Sequence, residues 1–91
     1  MYKLDRVIRV SAGTTAKTVK VHGLPCLIQN QSADASLYVK EMEEDGVAAS
    51  SSNGWLIGPG KETVVPMEIM ELSIVASAAS TAAAVLVLDM G

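Results

Sequence analysis

Ninety-one residues with a net charge of −3, 49% of them apolar, describe a single acidic domain spanning 1–91, with no room for a second core. One His and one Cys exclude an intrachain disulfide and a conventional zinc site. Seven basic residues scattered among ten acidic ones leave no basic stripe for nucleic-acid phosphates.

The chain alternates in the manner of strands, with turn signals roughly every 8–12 residues. Tyr2, Leu4, Arg6, Ile8 and Val10 share one face of a first strand, and Lys3, Asp5, Val7 and Arg9 share the other. Ser11–Thr15, "SAGTT", reads as a turn built on Gly13. Ala16–Val21 returns as a strand whose Thr and Val suit a half-buried pleat. His22–Pro25, "HGLP", interrupts it, because Gly23 accepts unusual dihedrals and Pro25 has no N–H to give a ladder. Cys26–Asn30 resumes as a strand, with either Cys26 and Ile28 or Leu27 and Gln29 inward.

Asn30–Ala35, "NQSADA", is a polar loop whose side chains can bond the nearby backbone. Ser36–Met42 is the next strand, with Leu37, Val39 and Glu41 opposite Tyr38, Lys40 and Met42. The acidic Glu43–Gly46 ends in Asp-Gly, a hairpin signal, and Val47–Ser50 then fits a short edge strand. A second polar loop, Ser50–Gly54, leads into a brief strand at Trp55–Ile57. In Gly58–Lys61, "GPGK", Pro59 presets the first central φ and Gly60 supplies the positive φ of a type II turn. Glu62–Val65 leaves that turn as a strand, and Pro66 ends it.

Glu68–Ala76 has helical spacing as well, with Met67, Met70 and Ile74 on one side. The β-branched Ile69, Ile74 and Val75, and the small-residue turn Ser77–Thr81, favour a strand instead. Ala82–Asp89 is apolar on both faces, which suits a central strand or one covered by a partner subunit. The expected fold is all-β: a single small antiparallel sandwich or barrel of about seven to nine short strands.

Nothing in the chain spells out catalysis. His22 has no accompanying nucleophile motif and reads as structural. The cluster Glu41, Glu43, Glu44 and Asp45 lacks the alternating ligands and distal Glu of a calcium loop, so it reads as a solvated turn. No metal or other cofactor is expected, and a metalloenzyme on a similar barrel would need several His where this chain has one. Cys26 is expected as a free, buried thiol. Asn30-Gln31-Ser32 matches a glycosylation sequon by chance. The charged N-terminus lacks the apolar core of a signal peptide, and Ser73–Leu88 is too short and serine-interrupted for a membrane span. Trp55, the single Trp, reads first as an anchor beneath the polar loop and second as a ligand platform together with Tyr38.

From Leu27 onward the order of phrases resembles small β-structured virion proteins of tailed bacteriophages and prophages. The matching positions are Asn30, Ser32, Leu37, Tyr38 and Val39, then Gly54, Trp55, Ile57, Pro59 and Gly60. Glu71, Leu72, Ile74, Ala76 and Ser77 follow, and then Ala84–Leu88. Ile57 stands where the pattern has Leu, and Ser73 where it has an aromatic. The resemblance implies a jelly-roll-like domain with a structural role on the virion, in capsid decoration or cementing or in a head fibre or tail. It would be assembled in the bacterial cytoplasm beside the major capsid protein or other virion proteins.

A domain this short buries only about 60–65% of its unfolded surface, so association with further copies is the expected support. A homo-oligomer, with a trimer favoured, is expected to use Met67, Ile69, Met70, Leu72 and Ile74 together with Val85, Leu86, Val87 and Leu88. The alternative is a carbohydrate- or receptor-binding module of a phage fibre or tail using Trp55 and Tyr38. Neither reading involves nucleic acid or a membrane.

Overall fold

A computed structural model describes residues 3–42, 46–65 and 69–89, with only the backbone for Lys3. These residues form eight strands: β1 (Lys3–Ala12), β2 (Lys17–Lys20), β3 (Cys26–Asn30), β4 (Leu37–Glu41), β5 (Trp55–Ile57), β6 (Glu62–Val65), β7 (Glu71–Ala76) and β8 (Thr81–Asp89). They make two four-stranded sheets, a front sheet in the order β1-β8-β3-β6 and a back sheet in the order β2-β7-β4-β5. Every pairing is antiparallel.

The pairing has a simple rule. β1 pairs β8, β2 pairs β7, β3 pairs β6 and β4 pairs β5. The first half of the chain thus lies against the second as one long hairpin, rolled until it forms two sheets. That is the topology of a jelly roll. Six of the seven connections pass from one sheet to the other, and only β4–β5 stays within its own. The Gly58–Lys61 turn is therefore a corner between sheets rather than a hairpin within one. Its geometry is the expected one: Lys61 N–H donates to the Gly58 carbonyl at 3.0 Å, and Gly60 has a φ of 70°.

The core lies between the sheets and is aliphatic. Val21, Ile28, Leu37, Leu72, Ile74, Val85 and Val87 are its largest fully enclosed hydrophobic side chains. Each contributes about 1.5–3 kcal/mol by leaving water. Register settles which residues point inward, since opposed residues share a face. Cys26 and Ile28 sit opposite Val87 and Val85, so Leu27 and Gln29 face outward. Among the described residues no aromatic ring is enclosed, and the molecule measures 36 × 31 × 16 Å along its principal axes.

Two sequence expectations change here. Leu4 was expected to share a face with Ile8 and Val10, but Leu4 pairs with Leu88 while Arg6 pairs with Val87, which makes Asp5 a β-bulge. The extra residue reverses the alternation, and Leu4 emerges on the outer face, 56% exposed. The proposed edge strand at Val47–Ser50 is a loop instead. Gly46–Gly54 crosses the outer face of the back sheet, where Ala49 N–H donates to Ser73 Oγ at 2.8 Å and Lys40 Nζ donates to the Val47 carbonyl at 2.8 Å. That cover encloses Ser73 and Val75 on the outer side of β7. The acidic turn expected at Glu43–Asp45 lies outside the described residues.

Candidate functional site

Trp55 is the most exposed aromatic side chain among the described residues, at 69%, which corrects its expected role as an anchor. It opens β5, the edge strand of the back sheet, and pairs with Val39. The indole stands at the rim of a cleft of about 250 Å³ on the open side of the sandwich, where Val39 and Leu72 of the back sheet approach Thr63 and Val65 of the front sheet. Lys40 and Glu41 add charge to a lining that is otherwise mostly apolar.

Tyr38 does not join it. Tyr38 pairs with Leu56 and Val75, one position out of step with the Trp55–Val39 pair, so the two rings occupy opposite faces of the back sheet. The expected Trp55–Tyr38 platform is therefore not assembled. Tyr38 instead lies half-buried beside the Gly46–Gly54 loop and lines a second cleft of about 460 Å³ with Ala49, Ser50, Ser51, Val75 and Ser77. Gly54 approaches it so closely that a Cβ there would sit 2.8 Å from Tyr38 Cβ. This close approach is why the loop can cross at that point.

The groups that could carry chemistry are isolated. His22 is exposed in a turn with a φ of 54°. Cys26 is a free, buried thiol, pushed up to about 11 by burial, so it is protonated at neutral pH. Among the described residues, no three His, Cys, Asp or Glu side chains converge on a point that could hold a metal. No described helix is long and apolar enough to cross a membrane.

Most residues expected at a subunit interface turn out to pack the chain's own core. Leu72, Ile74, Val85 and Val87 are enclosed between the sheets and cannot reach a partner. β7 is enclosed on both sides because the Gly46–Gly54 loop lies over its outer face, whereas the outer face of β8 stays partly accessible at Ala82, Leu86 and Leu88. Leu86 and Leu88 are half-buried and face outward, Ile69 packs against the core, and Met70 is exposed. Met67 lies outside the described residues.

Register reveals an outer surface of which only Leu86 and Leu88 were expected to meet a partner. Val7 of β1, Leu86 of β8, Leu27 of β3 and Val64 of β6 form one directly registered row across the outer face of the front sheet. Val64 is 70% exposed. Leu4 and Leu88 extend the row to a second apolar pair. Leu27 could have signalled this face once the inward set of its strand was known, but Leu4 could not, because its outward turn depends on the bulge.

No protein-family model matches this chain, nor does any curated protein or solved structure.

Proposed function

We propose that this chain is a non-enzymatic structural protein of a bacteriophage or prophage particle, in capsid decoration or cementing, and that it works by association. The observation that carries this reading is the Val7–Leu86–Leu27–Val64 row, an apolar stripe laid across the whole outer face of a jelly-roll sheet. Contiguous apolar surface of this kind marks interaction sites. The resemblance of Leu27–Leu88 to virion proteins supplies the particle. Particles banded from a lysate of the source phage should contain the chain in many copies, and its absence from them would sink the reading.

The exposure of Trp55 favours a second reading, a carbohydrate- or receptor-binding module of a fibre or tail. In this form the platform is Trp55 above the cleft near Thr63, without Tyr38. Indole faces stack on apolar sugar surfaces, with nearby polar groups fixing orientation. Oligosaccharides that change Trp55 fluorescence in wild-type protein would support it. An unchanged spectrum across a panel of host-surface glycans would count against it.

A further inference from the structure

The outer face of the front sheet is apolar along one row and oppositely charged at the two ends of the next. We infer that this face pairs with the same face of a second copy about a two-fold axis parallel to the strands.

The pairing follows from register. Adjacent to the Val7–Leu86–Leu27–Val64 row runs Arg9 on β1, Ala84 on β8, Gln29 on β3 and Glu62 on β6. Arg9 and Glu62 are both exposed, at opposite edges of the sheet. Three strand spacings, roughly 14 Å, separate them, too far for an ion pair within one chain. Ala84 and Gln29 between them present no opposing charge.

A two-fold axis lying between β8 and β3, parallel to both, sets β1 of one copy over β6 of the other and β8 over β3. Arg9 then faces Glu62 of the second copy, and the symmetry repeats that pair at the other edge. In the neighbouring row Val7 meets Val64 and Leu86 meets Leu27. An axis across the strands would set β1 on β1 and lose both charge pairs. Aligned sheets pack within about 30° of parallel, which this arrangement satisfies. The interface is isologous, so it closes at two copies. The broad face, within extents of 36 × 31 Å, is large enough for the roughly 800 Å² per partner of a standard interface. The opposite face offers no equivalent, because the Gly46–Gly54 loop already lies on it.

This inference takes association as the mechanism from the reading above, yet needs no particle. It specifies a pair where the sequence led to the expectation of a trimer. Sedimentation equilibrium over micromolar concentrations tests it with wild-type protein, Val64→Glu, Arg9→Glu, Glu62→Arg and the Arg9→Glu/Glu62→Arg double variant. All four variants alter exposed positions, and circular dichroism checks that each is folded. Wild type should be a dimer and Val64→Glu a monomer. Each single charge reversal should weaken association roughly tenfold, and the double variant should recover it. A wild-type monomer, a trimer, a dimer indifferent to Val64→Glu, or a double variant no stronger than the singles would each overturn the inference. A dimeric chain missing from banded particles sinks the particle reading alone, while a monomeric chain present on them sinks this pairing alone.

Discussion

The side-chain amide of Asn30 donates to the carbonyl oxygens of Ala35 at 2.8 Å and Ile57 at 3.0 Å, tying the end of β3 in the front sheet to the end of β5 in the back sheet. Its Oδ1 also accepts from Ser32 N–H at 3.0 Å, so the one side chain both shapes the loop into β4 and joins the sheets. Asn30 is 2% exposed, so its amide nitrogen is committed to the fold rather than available to a glycan.

Asn30→Ala should therefore cost about 2–3 kcal/mol, because two carbonyls and one N–H lose a partner in a buried setting. Asn30→Asp should cost more at neutral pH, since it turns an oxygen toward two carbonyl oxygens. Total stability for a chain of this length is about 5–13 kcal/mol, so both losses are large. Urea denaturation reads them directly, and an unchanged midpoint in Asn30→Ala would show that the two sheets are not held together here.

Gly54→Ala should destabilise by about 1–3 kcal/mol through overpacking. The added Cβ would lie 2.8 Å from Tyr38 Cβ and 2.9 Å from the Ser50 carbonyl oxygen, neither of which is the end of a flexible side chain. Gly13→Ala is the matched control, because a Cβ there meets nothing within 4 Å. Equal thermal stability of the two variants would contradict the close approach of the loop to the back sheet.

These residues also mark the limit of what the sequence could say. The turn at Gly58–Lys61 was legible because Pro59 and Gly60 restrict their own dihedrals, and such constraints are local. That this turn passes between sheets was not legible, because the choice of pairing partner depends on residues far along the chain. The strand at Cys26–Asn30 was found with its bounds, but which of its sides faced inward became clear only from its pairing with β8. The outer burial of β7 was not legible, because the Gly46–Gly54 cover forms no regular hydrogen-bond ladder that alternation could announce, and Leu72 and Ile74 were assigned to a second subunit instead. The candidate site suffered most. A bulge at Asp5 and the edge position of Trp55 decide which side chains meet solvent, and neither leaves a signature in composition.

Cys26 should make stability fall at alkaline pH. Its thiol is raised by burial from an ordinary 9.0 to about 11. Below about pH 9 folded and unfolded chains both keep the proton, and its contribution is fully present. Between 9 and 11 the unfolded thiol ionises while the folded one does not, so up to about 2–3 kcal/mol is lost. Cys26→Ala should be less stable than wild type at neutral pH by about 1–2 kcal/mol, for the cavity it leaves. The gap between the two should close and then reverse as pH rises through that window. Denaturation curves at several pH values give the comparison, and a constant gap would mean that burial does not hold the proton on.

Trp55 should behave as a surface residue in every optical and energetic test. Its indole is 69% exposed at the rim of the cleft near Thr63, and its strand is an edge of the back sheet. Emission should resemble that of indole in water, and acrylamide should quench it readily. Trp55→Ala removes little buried area, so its stability should stay within about 0.5 kcal/mol of wild type. The contrast with Tyr38 sharpens the test, because Tyr38 is half-buried against Gly54 and Val75 on the opposite face. Tyr38→Ala should cost about 1–3 kcal/mol by removing a half-buried ring beside the Gly46–Gly54 loop. If Trp55→Ala proved the more damaging of the two, the ring at the cleft would be part of the core, and any ligand role for it would be lost with its exposure.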